Sequence, residues 1–114
     1  MLTMTEQIVK VRDFSVTPGS RYKDEGPHSG EEFRENFLEV AFKDALSSKT
    51  KLIVDLDGTI GYGTSWLEEV FGGLVRNGYN VDDINKYLDF VSDEEPYLIE
   101  DIKEYIYNAK KGKS

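Results

Sequence analysis

The sequence predicts an α/β domain, a mixed sheet of four or five strands with about four helices packed against it. Two observations carry this. Leu52, Ile53, Val54 and Leu56 form a nearly unbroken apolar run, the pattern of a central strand covered on both faces. Strand-like and helix-like segments also alternate along the chain, which argues for a sheet that is at least partly parallel.

Taken in order, Gln7 to Thr17 alternates apolar and polar residues and reads as one strand, or as two short strands meeting near Arg12-Asp13. "TPGSRYKDEGPHSG" follows as a long loop, and loops of that length are often functional. Ser29 and Glu32 form a Ser-x-x-Glu helix start. Phe33, Phe37, Leu38, Ala41, Phe42 and Ala45 make the apolar face of that helix, while Glu31, Glu35, Glu39 and Lys43 face water.

After the central strand, "DGTIGYG" turns the chain. Ser65-x-x-Glu68 reads as a second capping box, with Leu67, Val70, Phe71 and Leu74 as the buried stripe of its helix. Gly72-Gly73 inside that helix costs about 1 kcal/mol per residue against alanine, so the pair reads as room for a close approach to a strand or a partner. A short helix Val81 to Tyr87 is capped by Asn80, and Leu88 to Val91 is the last strand. A final helix, capped by Ser92 or Asp93, buries Leu98, Ile102, Tyr105, Ile106 and Ala109.

At 114 residues the chain reads as a single domain, 1–114, with 110–114 as a frayed tail. It has no cysteine, so disulfides and thiolate metal sites are excluded, and a single His28 excludes any site built on two imidazoles. A net charge of -8 disfavours non-specific nucleic-acid binding. No apolar run is long enough to span a bilayer, and "MLTMTEQIVKV" lacks the pattern of a signal peptide. The expectation is a soluble cytoplasmic protein without cofactor or metal.

The stretch "KLIVDLDGTIGYGTSWLEEVFGGLV" holds the chemistry-like motifs. Asp55-Leu56-Asp57-Gly58-Thr59 matches the start of the haloacid-dehalogenase-type phosphatases, with Asp55 as nucleophile and Asp57 as acid/base. Aspartyl-phosphate chemistry also needs a lysine, a hydroxyl and further carboxylates for Mg²⁺. Asp82-Asp83 stands at a helix start, where it reads as dipole-complementing charge. Gly58 to Ser65 has P-loop glycine spacing, but Thr64 stands where the lysine belongs. Asp55 and Asp57 are therefore read as turn residues, and no catalytic residue is assigned. Gly61 and Gly63, with Arg21 and Tyr22 of the long loop, are the candidate anion or ligand turn.

A strand "KLIVDLDG", a turn and then Gly63-Thr64-Ser65-Trp66-Leu67 opening a helix resembles the STAS domain of anti-sigma-factor antagonists. There a strand ending in Asp-Leu is followed by Asp-Ser-Ser-Gly-Leu, whose first serine a partner kinase phosphorylates. Here Gly63 replaces the Asp, Thr64 takes the phosphosite and Trp66 replaces the Gly. More closely, "PGSRYKDEGPHSGEEFRENFLE" (18–39) and "VDLDGTIGYGTSWLEEVFGGLV" (54–75) resemble the paired motifs of a bacterial STAS-like family of unassigned function. That resemblance implies a STAS-like fold and a regulatory mode of action, with no reaction.

The leading expectation is a non-catalytic interaction module that docks a protein partner, such as a histidine-kinase-type ATPase, through helix 65–77. Thr64, Ser65 and Trp66 are the candidate interaction residues, with Thr64 or Ser65 as a phosphosite. Trp66 and Val75 give that helix apolar surface beyond its core stripe. A small-molecule or nucleotide sensor and a Mg²⁺-dependent phosphatase are the alternatives. Oligomeric state is left open.

Overall fold

The computed structural model describes residues 6–113. Residues 1–5, part of the segment read for a leader, and Ser114 of the expected tail lie outside them. Three strands, β1 (Gln7–Lys10), β2 (Leu52–Asp55) and β3 (Leu88–Val91), form one sheet in the order β1-β2-β3. Both pairings are parallel, with Gln7, Leu52 and Leu88 in register at one end and Lys10, Asp55 and Val91 at the other.

Among the described residues three strands stand where four or five were expected. The second half of the Gln7–Thr17 segment is a helical turn, α1 (Val11–Phe14). Val11 is buried, and Phe14 lies edge-on to His28 and against Phe33 and Phe37 at 5.2–5.5 Å between ring centres. The turn closes with Ser15 N–H on Val11 O at 2.9 Å.

Helix α2 runs from Gly30–Phe33 through a π-helical turn, Arg34–Leu38, into Glu39–Ser48. Its start is well satisfied. Ser29 Oγ accepts from Glu32 N–H at 3.0 Å, worth about 1 kcal/mol. Gly30 and Glu31 N–H donate to the carbonyls of Ser20 and Arg21, which folds the long loop back on the helix. Helix α3 likewise joins Thr64–Leu67, a π turn Glu68–Gly72, and Gly73–Arg76. The two π turns face each other. Helices α4 (Val81–Tyr87) and α5 (Tyr97–Lys113) complete the fold, and α5 packs on α3.

The expected tail is helical through Lys113, and α5 starts at Tyr97 rather than at a Ser92 or Asp93 cap. Ser92 is held in a tight turn, its Oγ donating to Glu95 O at 2.7 Å. None of the helices among the described residues is long and apolar enough to cross a membrane.

Leu52 and Val54 are buried against the helices, as their apolar pattern requires. The other face of the sheet carries Ile8, Ile53, Asp89, Lys10, Asp55 and Val91, none of them buried. The expectation of a sheet covered on both faces is thus corrected: the helices cover one.

Candidate functional site

The site region lies at the C-terminal ends of the strands, where the aspartate turn, the start of α3 and the 92–95 turn meet. Asp55 Oδ2 pairs with Arg12 Nη1 at 3.1 Å, and its Oδ1 accepts from Asp57 N–H at 3.0 Å. Arg12 also donates to the Asp57 carbonyl at 3.1 Å. The Asp57 carboxylate receives the backbone N–H groups of Asp93 and Glu94, at 3.1 and 3.0 Å. Gly58 N–H donates to Glu94 Oε1 at 2.9 Å. The two aspartates tie the ends of β1, β2 and β3 together, as turn carboxylates with neighbouring N–H donors do.

Gly58 has φ +90°, and a Cβ there would stand 2.5 Å from Arg12 Cδ, so the residue must be glycine for the arginine to reach both aspartates. Gly61, at φ +142°, also needs glycine. Gly63 does not, at φ -77°, and it rather than Thr64 or Ser65 is the cap residue of α3. No side chain caps that helix, which corrects the expected Ser65-x-x-Glu68 box; Glu68 is drawn away to Arg21 and Arg76. Thr64 and Ser65 are exposed in the first turn.

Trp66 is 0% exposed. It sits between Tyr62 and Phe33, each at 5.4 Å between ring centres, and its Nε1 donates to His28 O at 3.0 Å. The expectation of an exposed anchor at Trp66 is corrected, and Val75 is buried too. The apolar surplus of this helix is used inside the protein. Tyr62 OH donates to Leu56 O at 2.7 Å, and burial pushes its phenol up to about 12.

Arg21 and Tyr22 do not join Gly61 and Gly63. Arg21 Nη1 pairs with Glu68 Oε1 at 3.0 Å and lies 3.7 Å from Glu69 Oε1, and its guanidinium stands over the Tyr22 ring. His28 is exposed, as expected of a residue before a cap.

Sequence reasoning missed a charged seam between α2 and α3. Arg34 is 5% exposed, with Nη1 on Glu69 Oε2 at 3.0 Å and Nε on Glu39 Oε2 at 3.1 Å. Glu39, expected to face water, also receives Asn77 Nδ2 and Tyr79 OH. Arg76 forks onto Glu68 at 2.6 and 3.0 Å and reaches Glu69 at 3.4 Å. Arg76, ahead of Arg21, holds the Glu68 carboxyl below its ordinary value, while burial raises that of Glu69 against the pull of three arginines.

Gly72 and Gly73 make room for this seam. A Cβ on Gly73 would stand 2.8 Å from Arg34 Nη1, and one on Gly72 would meet the Glu68 carboxylate. Gly30 lets α2 approach within contact of the Trp66 carbonyl, where a Cβ would be 2.8 Å away. A signal was present. Gly30, Arg34 and Leu38 are spaced by four, which puts a charge in a buried stripe, and Glu69 and Gly73 share that spacing.

The site thus combines an aspartate turn at the ends of a parallel sheet, a helix start without a side-chain cap and two helices joined by a charged seam. A family model described as the STAS-like domain of unknown function (DUF4325) matches residues 29–98, and the chain belongs to that family. That stretch contains both halves of the seam and the whole turn. No curated protein and no solved structure matches the chain.

Proposed function

We propose that the chain is a non-catalytic regulatory module of the cytoplasm that binds a protein partner at the C-terminal ends of its strands, around the start of α3. One observation carries the reading: exposed apolar side chains lie on the loop that leads into an uncapped helix start and on the segment hydrogen-bonded to it. Ile60 is 82% exposed and its N–H donates to the carbonyl of Val16, itself exposed. The same loop leads into the exposed Thr64 and Ser65. Isolated apolar residues at a surface are ordinary, but two on hydrogen-bonded segments leading to a helix start without a side-chain cap suit a docking surface.

Trp66 supports this surface from below. A phosphate on Thr64 adds about -1.5 to -2 charges at the helix start, enough to change what docks there. A histidine-kinase-type ATPase or another signalling protein is the partner class. The phosphatase alternative is disfavoured because both oxygens of Asp55 and both of Asp57 are already engaged. The sensor alternative at the glycine turn is disfavoured because Arg21 is spent on Glu68.

The test is affinity for a partner captured with the wild-type chain and then purified. Ile60→Asp and Thr64→Glu are expected to weaken binding about tenfold or more at unchanged melting temperature. Wild-type affinity in both variants would remove this surface from consideration.

A further inference from the structure

The opposite pole of the sheet holds a cavity of about 430 Å³ lined by Glu6, Lys49, Lys51, Lys86 and Tyr87. Glu6, Lys51 and Tyr87 are the residues immediately before β1, β2 and β3, so the register of the strands sets them side by side. Lys49 follows the last residue of α2, and Lys86 lies in the last turn of α4. Three lysines and one carboxylate, Glu6, thus line one cavity, a local excess of positive charge in a chain whose net charge is -8.

Lys51 has only a 3.8 Å contact with Asp89, both side chains more than half exposed, which is a weak and screened pair. Lys86 Nζ stands 5.3 Å from the centre of the Tyr87 ring.

Helix C-termini favour lysine, and that accounts for a positive charge near Lys49 and Lys86. It does not account for the backbone of Lys49, which is left-handed at φ 56°, ψ 42°. Thr50 N–H returns to Ala45 O and Lys49 N–H to Leu46 O, a helix ending that glycine fits without strain. Helix α3 ends in the same way, with Tyr79 N–H on Leu74 O and Gly78 N–H on Val75 O, and there the left-handed residue is Gly78 at φ +97°. The chain uses glycine for this ending at one helix and a strained lysine at the other, where the side chain lines the cavity. Nor does a helix dipole account for Lys51, which precedes a strand.

We propose that this cavity is a binding site for a small organic anion with an aromatic body, of the chemistry of an aryl phosphate. The three lysines meet the anionic head and the Tyr87 ring walls the flat part. The volume is that of a small-ligand site. Its position is independent of the docking surface, which lies at the other end of the strands.

The test is a titration of the full chain with phenyl phosphate, followed by ¹H–¹⁵N NMR, with inorganic phosphate in parallel. Saturable shifts are expected at Lys49, Lys51, Lys86 and Tyr87, stronger with phenyl phosphate and weakened by salt. Lys86→Ala and Lys49→Gly should each weaken binding about tenfold, the loss of one charge-assisted contact. Lys49→Gly should do so while raising the melting temperature, which separates lost binding from lost folding. Absence of saturable shifts at these residues to millimolar concentration, unchanged affinity in both variants, or equal binding of inorganic phosphate would each overturn the proposal.

Discussion

Arg34 and Glu69 meet inside the protein, Nη1 to Oε2 at 3.0 Å, each from the π turn of its helix. The pair joins segments 18–39 and 54–75 and fixes how α2 lies on α3. Replacing Arg34 by Met leaves Glu69 buried without its nearest cation. The expected cost is about 3 kcal/mol in urea unfolding, at the lower end for a broken buried pair, because Arg21 and Arg76 remain within 3.7 and 3.4 Å of Glu69.

Gly73→Ala separates packing from propensity. Alanine favours a helix by about 1 kcal/mol over glycine. Here its methyl would press on Arg34, which is held by Glu39 and Glu69, so a net loss of about 1–3 kcal/mol is expected. In an Arg34→Ala background the same change should stabilise. A stabilising Gly73→Ala in the wild-type chain would show that the seam does not need the glycine.

The two glutamates of α3 give opposite pH dependences. Glu68 is held below its ordinary value of 4.5, chiefly by Arg76, so its contribution is present above 4.5 and is lost as pH falls through its lower folded value. Glu69 is raised by burial, so its contribution is present below 4.5 and is lost as pH rises through its higher folded value. Glu68→Gln should therefore cost most above that range and progressively less in acid, read by denaturant unfolding across pH. A cost independent of pH would contradict the Arg76–Glu68 pairing in solution.

Tyr62 and Tyr79 are both pushed up to about 12, chiefly by burial, with the Glu39 charge adding at Tyr79. A raised phenol keeps its contribution below the ordinary value of 10 and loses it as pH climbs toward about 12. An ultraviolet titration of the seven tyrosines should show a late fraction that shrinks in Tyr62→Phe. That variant should also lose about 1 kcal/mol, since Leu56 O loses its donor.

The central strand was legible because burial writes itself into composition: Leu52, Val54 and Leu56 are buried, and Asn80–Tyr87 and Leu88–Val91 fall where caps and patterning put them. Turn glycines at 58 and 61 were legible for the same local reason. The seam was not. Which carboxylate meets Arg34 depends on two helices 35 residues apart in the chain and on π turns that no periodicity announces. Trp66 misled because an aromatic beside a helix start looks the same whether it faces solvent or a second helix. The one-sided sheet was invisible because Ile8 and Ile53 are as apolar as a covered face requires.

The central claim is that Asp55 and Asp57 hold the strand ends together and do no chemistry. The direct measurement is Mg²⁺-dependent turnover of a generic phosphate ester by the wild-type chain and Asp55→Asn, each checked by its melting temperature. The account predicts no turnover in either and a lower melting temperature in the variant, because the Arg12 pair is lost. Turnover in the wild type that disappears in a folded Asp55→Asn would contradict it.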